Sequence, residues 1–132
     1  MTYKVIINSK NGKFPVKGLN ELLAGRFYNP RTKRYHNPVK EENDRVCRSA
    51  IKKYLKGVKI DKTIQCTYLV YVKDKKHDRG NVYASVEKSF LDALQDCNVI
   101  KNDGYDDVLD GIFKTDIDRE NPRIEIIIEV ID

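Results

Sequence analysis

Short stretches rich in β-branched and aromatic residues recur along the chain, and each of them predicts a strand. The first is residues 2–8, TYKVIIN, and the others are residues 63–73, 108–115 and 123–131. Residues 63–73, TIQCTYLVYVK, carry apolar side chains on both faces, which is typical of a central strand. Residues 123–131, RIEIIIEVI, are the clearest strand of the chain.

Two longer segments carry apolar residues at helical spacing instead. Residues 38–56 predict a helix that Asn37 can cap, that begins at Pro38 and that stops at Gly57. Residues 81–97 predict a second helix with one apolar stripe. Its members are Val82, Val86, Phe90, Ala93, Leu94 and Cys97.

The predicted elements follow the order β-α-β-α-β-β in a chain of 132 residues, a length that suits one domain. We expect a small α/β domain over residues 1–132, with a mixed sheet packed by two helices and with the last two strands paired as a hairpin. Residues 9–38 are rich in glycine and proline and predict a long basic loop, with a short helical turn around residues 19–24.

Charge is divided unevenly between the two halves of the chain. Residues 1–59 contain 15 Lys and Arg against 4 Asp and Glu, whereas residues 60–132 contain 10 against 16. A basic half favours a polyanionic partner such as nucleic acid. No apolar run approaches the ~20 residues that cross a bilayer, and the three cysteines have no paired or zinc-type spacing. These features predict a cytoplasmic chain with reduced cysteines and no membrane partner.

Basic and aromatic side chains alternate between residues 26 and 38. Cations neutralise phosphates and aromatic rings stack on unstacked bases, so this alternation predicts a DNA-binding surface. Its members are Arg26, Phe27, Arg31, Lys33, Arg34 and Tyr35, and Arg45, Arg48 and Lys52 on the first long helix extend it. The alternative is a solvated loop whose aromatic rings pack on the core.

Acidic residues precede, occupy and follow the second long helix. Asp78 precedes it, Asp92 lies on its polar face with Asn81 and Lys88, and Asp103 follows it. Carboxylates that converge from such positions hold Mg²⁺, and a lysine beside them stabilises charge on a phosphate. Each residue also has a structural interpretation: Asp78 at the helix N-terminus, Lys88 and Asp92 as an i,i+4 pair, and Asp103 in a turn.

Three stretches resemble the RusA family of Holliday junction resolvases, which is common in phages and prophages. The most specific is KSFLDALQDCNVIKND, residues 88–103. It is similar to the family's run of a lysine, an aromatic residue, Asp-Ala-Leu and a polar turn that ends in aspartate. HDRGN, residues 77–81, resembles the family's Asp-x-Asp-Asn, and NPRIEIIIEV, residues 121–130, resembles the last strand of phage members.

The resemblance implies a homodimeric endonuclease that cuts four-way and other branched DNA with Mg²⁺, or with Mn²⁺ in its place. By position, Asp78 and Asp103 match metal-binding aspartates of the family. Asn81 matches the asparagine of the motif, and Lys88 matches its essential lysine. Gly80 stands where the family has a second aspartate, and Asn81 and Lys88 are seven residues apart where the pattern has three.

The departure at Gly80 leaves the ligand set and the activity open. Asp92, Asp106 and Asp107 are candidates for the missing carboxylate oxygen. Two other functions remain open: a junction-binding protein with weak catalysis, and a module that binds single-stranded nucleic acid. We expect the dimer to share an apolar helix or strand surface, and one candidate is the last strand, where Ile127 and Ile131 occupy the second face.

Overall fold

A four-stranded mixed sheet organises the chain. The computed structural model describes all of residues 1–132 and contains nine elements. In chain order these are β1 (Thr2–Ile7), α1 (Leu19–Ala24), β2 (Phe27–Asn29), β3 (Arg34–His36), α2 (Pro38–Tyr54), β4 (Ile64–Val72), α3 (Arg79–Asp96), β5 (Ile112–Ile117) and β6 (Arg123–Val130). No helix combines the length and the apolar content that crossing a membrane requires.

The strands lie in the order β1-β6-β4-β5, and a separate two-stranded sheet pairs β2 with β3. β4 runs parallel to β5 and antiparallel to β6. This confirms the predicted α/β class, the mixed sheet and the central position of β4. The predicted hairpin between the last two strands is wrong, because β4 lies between β5 and β6 and supplies the backbone partners of both.

The core lies between the sheet and the two long helices. Alternate residues of β4 are buried, as expected of a strand whose side chains point to opposite faces. Facing them, α3 buries its predicted apolar stripe up to Leu94, while Cys97 is only partly buried. Three rings join β4, β5 and α3: Tyr68 stacks on Phe113 at 4.9 Å between ring centroids, and Phe113 stacks on Tyr83 at 4.8 Å.

The helix ends follow the sequence signals closely. The side chain of Asn37 caps α2 by accepting a hydrogen bond from the Lys40 amide at 3.1 Å, and Pro38 occupies the first turn. α2 ends just before Gly57, whose φ of +76° is a conformation that favours glycine. The long loop differs from expectation because it contains the β2–β3 hairpin, whose strands of three residues are too short to give a periodic signal.

A buried amide fastens the N-terminal segment to the helices. Asn43 is 1% exposed; its Oδ1 accepts from the Lys17 amide at 2.9 Å and its Nδ2 donates to the Lys17 carbonyl at 3.0 Å. Nδ2 also donates to Oγ of Ser85 on α3 at 3.2 Å. One side chain thereby satisfies both backbone groups of a residue that has no strand partner.

We expect Asn43→Ala to lower the free energy of unfolding by about 1–3 kcal/mol, since it leaves the partly buried Lys17 amide without a partner and leaves the Lys17 carbonyl with Oγ of Ser85 alone. Urea denaturation followed by circular dichroism measures the loss. Asn102→Ala is the matched control, because Asn102 is exposed and such a change costs under about 0.5 kcal/mol. Equal midpoints for the two variants would contradict this role of Asn43.

Candidate functional site

Asp78 lies just beyond the carboxyl end of β4, where α3 begins. It is the N-cap residue of α3, and its Oδ1 accepts a hydrogen bond from the Asn81 amide at 3.1 Å. This position neutralises part of the positive end of the helix. The residue is exposed, and its second carboxylate oxygen has no hydrogen-bond partner in the chain. One oxygen of Asp78 is therefore structural and the other is free.

Gly80 leaves open space beside that carboxylate. A Cβ atom built at Gly80 would meet only Oδ1 of Asp78, at 3.7 Å, within a radius of 4 Å. The backbone here is ordinary helix, because positive φ angles at glycine occur only at Gly12 and Gly57. A carboxylate at position 80 would therefore fit without strain and would lie next to Asp78.

Asn81 faces the N-terminal segment and not open solvent. Its Oδ1 accepts from the Asn20 amide at 2.7 Å, at the start of α1. Gly18 lies close against this side chain, because a Cβ atom built at Gly18 would lie 2.3 Å from the side-chain nitrogen Nδ2 of Asn81. Asn81 and Asp92 lie on the polar side of α3 but are partly buried by contacts with α1 and α2, whereas Lys88 is exposed.

Asp92 is engaged in a partly buried ion network between α2 and α3. Its Oδ2 lies 3.1 Å from Nζ of Lys40 and 3.6 Å from Nζ of Lys88, and Lys40 also contacts Asp44 at 2.6 Å. Burial raises the pKa of Asp44, although Lys40 opposes the shift. Burial would lower the pKa of Lys40, but its hydrogen bonds to both carboxylates raise it. The cations therefore occupy the site that Asp92 could offer to a metal.

The spacing along α3 also separates the predicted catalytic residues. At 1.5 Å per residue, Lys88 lies about 15 Å and Asp92 about 21 Å along the axis from Asp78. Lys88 is placed to meet Asp92, not a phosphate held at Asp78.

Asp103 lies at the opposite end of the sheet from Asp78. It is exposed in the loop that leads back to the start of β4, where the Ile64 amide donates to the Asp107 carbonyl at 3.0 Å. The nine residues of β4 separate the two ends by about 26 Å. One chain therefore does not bring Asp78 and Asp103 together, and Asp106 and Asp107 share the distant end.

The separation of Asp78, Asp92 and Asp103 determines whether one chain can hold a metal ion with them. No group of three or more His, Cys, Asp or Glu side chains in the chain is arranged to hold one. The expected set of Asp78, Asp92 and Asp103 is thus not assembled within a single protomer, because α3 and β4 keep its members apart.

The β2–β3 hairpin presents the predicted basic and aromatic residues. Tyr28 pairs with Tyr35 across the strands, with ring centroids 5.3 Å apart, and the Arg26 guanidinium lies 4.2 Å from the Tyr35 ring centroid. Phe27 stacks on His36 at 5.7 Å. About half or more of the surface of Phe27, Tyr28 and Tyr35 is exposed, so these rings do not pack into the core.

The four cations of the hairpin region have no carboxylate partner. Arg26, Arg31, Lys33 and Arg34 are all exposed, and none of them forms an ion pair. The turn between the strands is fixed locally, since Oδ1 of Asn29 accepts from the Arg31 amide at 2.9 Å. A structured hairpin with unneutralised charge therefore replaces the predicted loop.

The α2 part of the predicted basic surface is partly neutralised. Nε and Nη2 of Arg45 donate to the Glu42 carboxylate at 2.9 and 2.6 Å, and hydrogen bonds from Arg45 and Lys10 lower the pKa of Glu42 to about 2. Arg48 lies 3.5 Å from Asp96, whereas Lys52 has no carboxylate partner. Within the predicted DNA-binding set, the cations without a carboxylate partner are accordingly Lys52 and the four of the hairpin region.

A cleft that sequence analysis missed lies at the carboxyl ends of β4 and β5, beside the start of α3. Its volume is about 390 Å³. Its walls are Val70, Val72, Asp74, Lys75, His77, Arg79, Val82, Thr115, Asp116 and Ile117. The predicted β-α-β order was the available signal, because clefts form at the carboxyl ends of parallel strands.

Comparison with known proteins adds no assignment: no model of a protein family and no curated protein matches the chain.

We expect Gly80→Asp to bind Mg²⁺ at least about tenfold more tightly than the unchanged chain, because it adds a second carboxylate beside Asp78. Isothermal titration with MgCl₂, repeated with MnCl₂, measures the affinity. Gly80→Asn is the control, since it adds a side chain of the same size without the charge. Equal affinities for the Asp and Asn variants would contradict the assignment of this position.

Proposed function

We propose that the chain is a Mg²⁺-dependent, structure-selective endodeoxyribonuclease that resolves four-way junctions and other branched DNA in the cytoplasm, in phage or prophage recombination and repair. The observation that carries the proposal is the hairpin with four unpaired cations and three exposed aromatic rings. The resemblance of residues 77–81, 88–103 and 121–130 to RusA-type resolvases supports it.

The hairpin suits branched DNA better than a uniform duplex. Unpaired cations bind phosphates without first breaking an ion pair, so their full charge contributes to affinity. Exposed rings stack on bases only where the bases are accessible, which is at the crossover and not inside a duplex arm. The hairpin therefore combines general phosphate binding with selection of opened DNA.

The hairpin is connected to the carboxylate end of α3. Asn81, three residues after Asp78, holds Asn20 at the start of α1. α1 ends at Ala24, and β2 begins at Phe27. DNA bound by the hairpin would therefore lie on the part of the chain that carries Asp78.

The wide separation of Asp78 and Asp103 favours a site shared by two copies. A two-fold axis across the middle of α3 makes the helices of the two protomers antiparallel, so that Asp78 of one copy faces Asp103 of the partner subunit. The loop around Asp103 is suited to contact, because Tyr105 is 95% exposed and Leu109 is 39% exposed. This dimer contact differs from the one expected on β6.

Such a dimer carries two equivalent sites, as the two-fold symmetry of a four-way junction requires. Asp78 and Asp103 of the partner subunit would hold Mg²⁺, which supplies an activated water and stabilises the leaving oxygen of a phosphodiester.

The second candidate is a protein that binds junctions without cutting them. Gly80, which leaves Asp78 without a neighbouring carboxylate, favours it. The hairpin would serve both functions equally, so only cleavage separates them. A module for single strands would instead prefer linear single strands to junctions in competition.

We expect the triple variant Arg31→Ala, Lys33→Ala, Arg34→Ala to bind duplex DNA more weakly and with a salt slope smaller by about two to three units. Each phosphate contact contributes about 0.9 to the slope of log K against log salt. Fluorescence anisotropy over a salt series measures it.

The matched control removes three exposed, unpaired cations elsewhere: Lys53→Ala, Lys114→Ala, Arg119→Ala. It changes net charge equally and should leave the slope within one unit. Equal slopes for the two triple variants would contradict the assignment of the hairpin to DNA.

We expect Asp78→Asn and Asp103→Asn each to abolish cleavage when alone, and their mixture to regain it. In a mixed dimer, one site contains Asp78 of one protomer and Asp103 of its partner, both unchanged. Asparagine also caps helices well, so Asp78→Asn should keep the fold. Cleavage of a labelled four-way junction after the variants are mixed and refolded together measures it.

The controls are each variant refolded with itself. An inactive mixture, with cleavage by the unchanged chain intact, would contradict the shared site. Absence of cleavage by the unchanged chain, with junction binding intact, would favour the binding protein over the nuclease.

A further inference from the structure

The cleft beside the start of α3 leaves apolar surface open on the helix-covered side of the sheet. Ile117 pairs in register with Val72, so the two side chains point to the same face. Val72 is 3% exposed, but Ile117, at the end of the edge strand, is 40% exposed. α3 begins only at Arg79, after the segment 73–78 has left the sheet, and so it does not cover this corner.

The walls of the cleft combine an apolar floor with a charged rim. Val72, Val82 and Ile117 contribute the floor. Asp74 on the rim has one carboxylate oxygen, Oδ2, without a partner in the chain, and Lys75 and Arg79 are cations. The volume of about 390 Å³ lies within the range typical of small-molecule sites, roughly 300–1,000 Å³.

These features match a flat ring with polar edges that is attached to a phosphate. The apolar floor suits the face of the ring, the Asp74 carboxylate suits an amino group on its edge, and the cations suit the attached phosphate. A purely apolar ligand would leave the Asp74 carboxylate desolvated, and a bare phosphate would leave the floor empty.

We propose that this cleft binds one unstacked nucleobase of the nucleotide next to the phosphate at Asp78. The placement at that phosphate rests on the proposed nuclease function, but the nucleotide site itself does not. Asp78 lies in sequence between His77 and Arg79, which both line the cleft, so base and phosphate can belong to one nucleotide. The Asp74 carboxylate favours bases with an exocyclic amine, namely adenine, cytosine and guanine, over thymine.

Nuclear magnetic resonance of the methyl-labelled protein tests the site without requiring cleavage. The probes are the four deoxynucleoside 5′-monophosphates, with inorganic phosphate as the control ligand. We expect saturable shifts at the methyl groups of Val72, Val82 and Ile117 with dAMP, dCMP or dGMP, and smaller shifts with dTMP. The Ile112 methyl group should not respond. Absence of shifts in the cleft, or identical shifts with phosphate alone, would overturn the proposal.

Two matched variants add a second readout. Ile117→Trp fills the cleft, whereas Ile112→Trp changes an equally exposed residue of the same strand, 42% against 40%, on the opposite face. We expect Ile117→Trp to abolish the nucleotide-induced shifts of Val72 and Val82 and Ile112→Trp to leave them unchanged. Shifts that persist in Ile117→Trp would overturn the proposal.

A cleavage assay distinguishes failure of the proposed nucleobase site from failure of the proposed nuclease function. On junctions that differ only in the base beside the incision, the unchanged chain should show a preference of about tenfold that Ile117→Trp loses. A retained preference would overturn the placement of the base. Nucleotide binding in the cleft without cleavage of any junction would leave the site standing and overturn the nuclease.

Discussion

The length of α3 is the constraint on which the rest of the arrangement depends. Its 18 residues span about 27 Å, almost the length of the nine-residue strand β4 that precedes it. Because β5 returns parallel to β4, α3 must run back along the whole strand. Residues before the helix therefore lie at the carboxyl end of the parallel strands, and residues after it lie at the opposite end.

The N-terminal segment is held to α2 and α3 by the side-chain amides of three asparagines. Asn43 satisfies the backbone of Lys17, Asn81 satisfies the amide of Asn20, and Nδ2 of Asn37 donates to the Leu22 carbonyl at 2.7 Å. Buried backbone groups outside a sheet need such partners. Three asparagines thus hold the support from which the cationic hairpin extends, and they link its position to the two helices.

Sequence analysis could predict the parts of the fold that short-range sequence signals specify. Asn37 and Pro38 mark the start of α2, and apolar residues on both faces mark β4 as central, because these signals act within a few residues. The insertion of β4 between β5 and β6 depends on long-range pairing, which no short motif specifies. Helical spacing places Asn43 on the face of α2 that carries Val39 and Val46, but its partner, the backbone of Lys17, is likewise set by long-range packing.

In the candidate site, too, the features that depend on local sequence could be predicted and those that depend on the fold could not. The cations and aromatic rings of residues 26–36 were identifiable as a set, since their chemistry does not depend on the fold. The neutralisation of Arg45 by Glu42 could not be identified from the sequence, because it depends on the rotamers that bring the carboxylate to the guanidinium. The distance between Asp78 and Asp103 also needed the fold, because sequence spacing does not specify the direction of the chain between them.

A divided carboxylate pair has a thermodynamic consequence for the proposed nuclease. If Mg²⁺ needs Asp78 from one copy and Asp103 from the partner subunit, the ion binds the dimer more tightly than the monomer. Linkage then requires Mg²⁺ to strengthen dimerisation by the same factor. Gly80 makes Mg²⁺ binding depend more strongly on dimerisation, since no second carboxylate beside Asp78 can hold the ion in a single chain. Branched DNA, which presents two symmetric strands, would favour the same two-fold assembly, so substrate, ion and partner would each promote binding of the others.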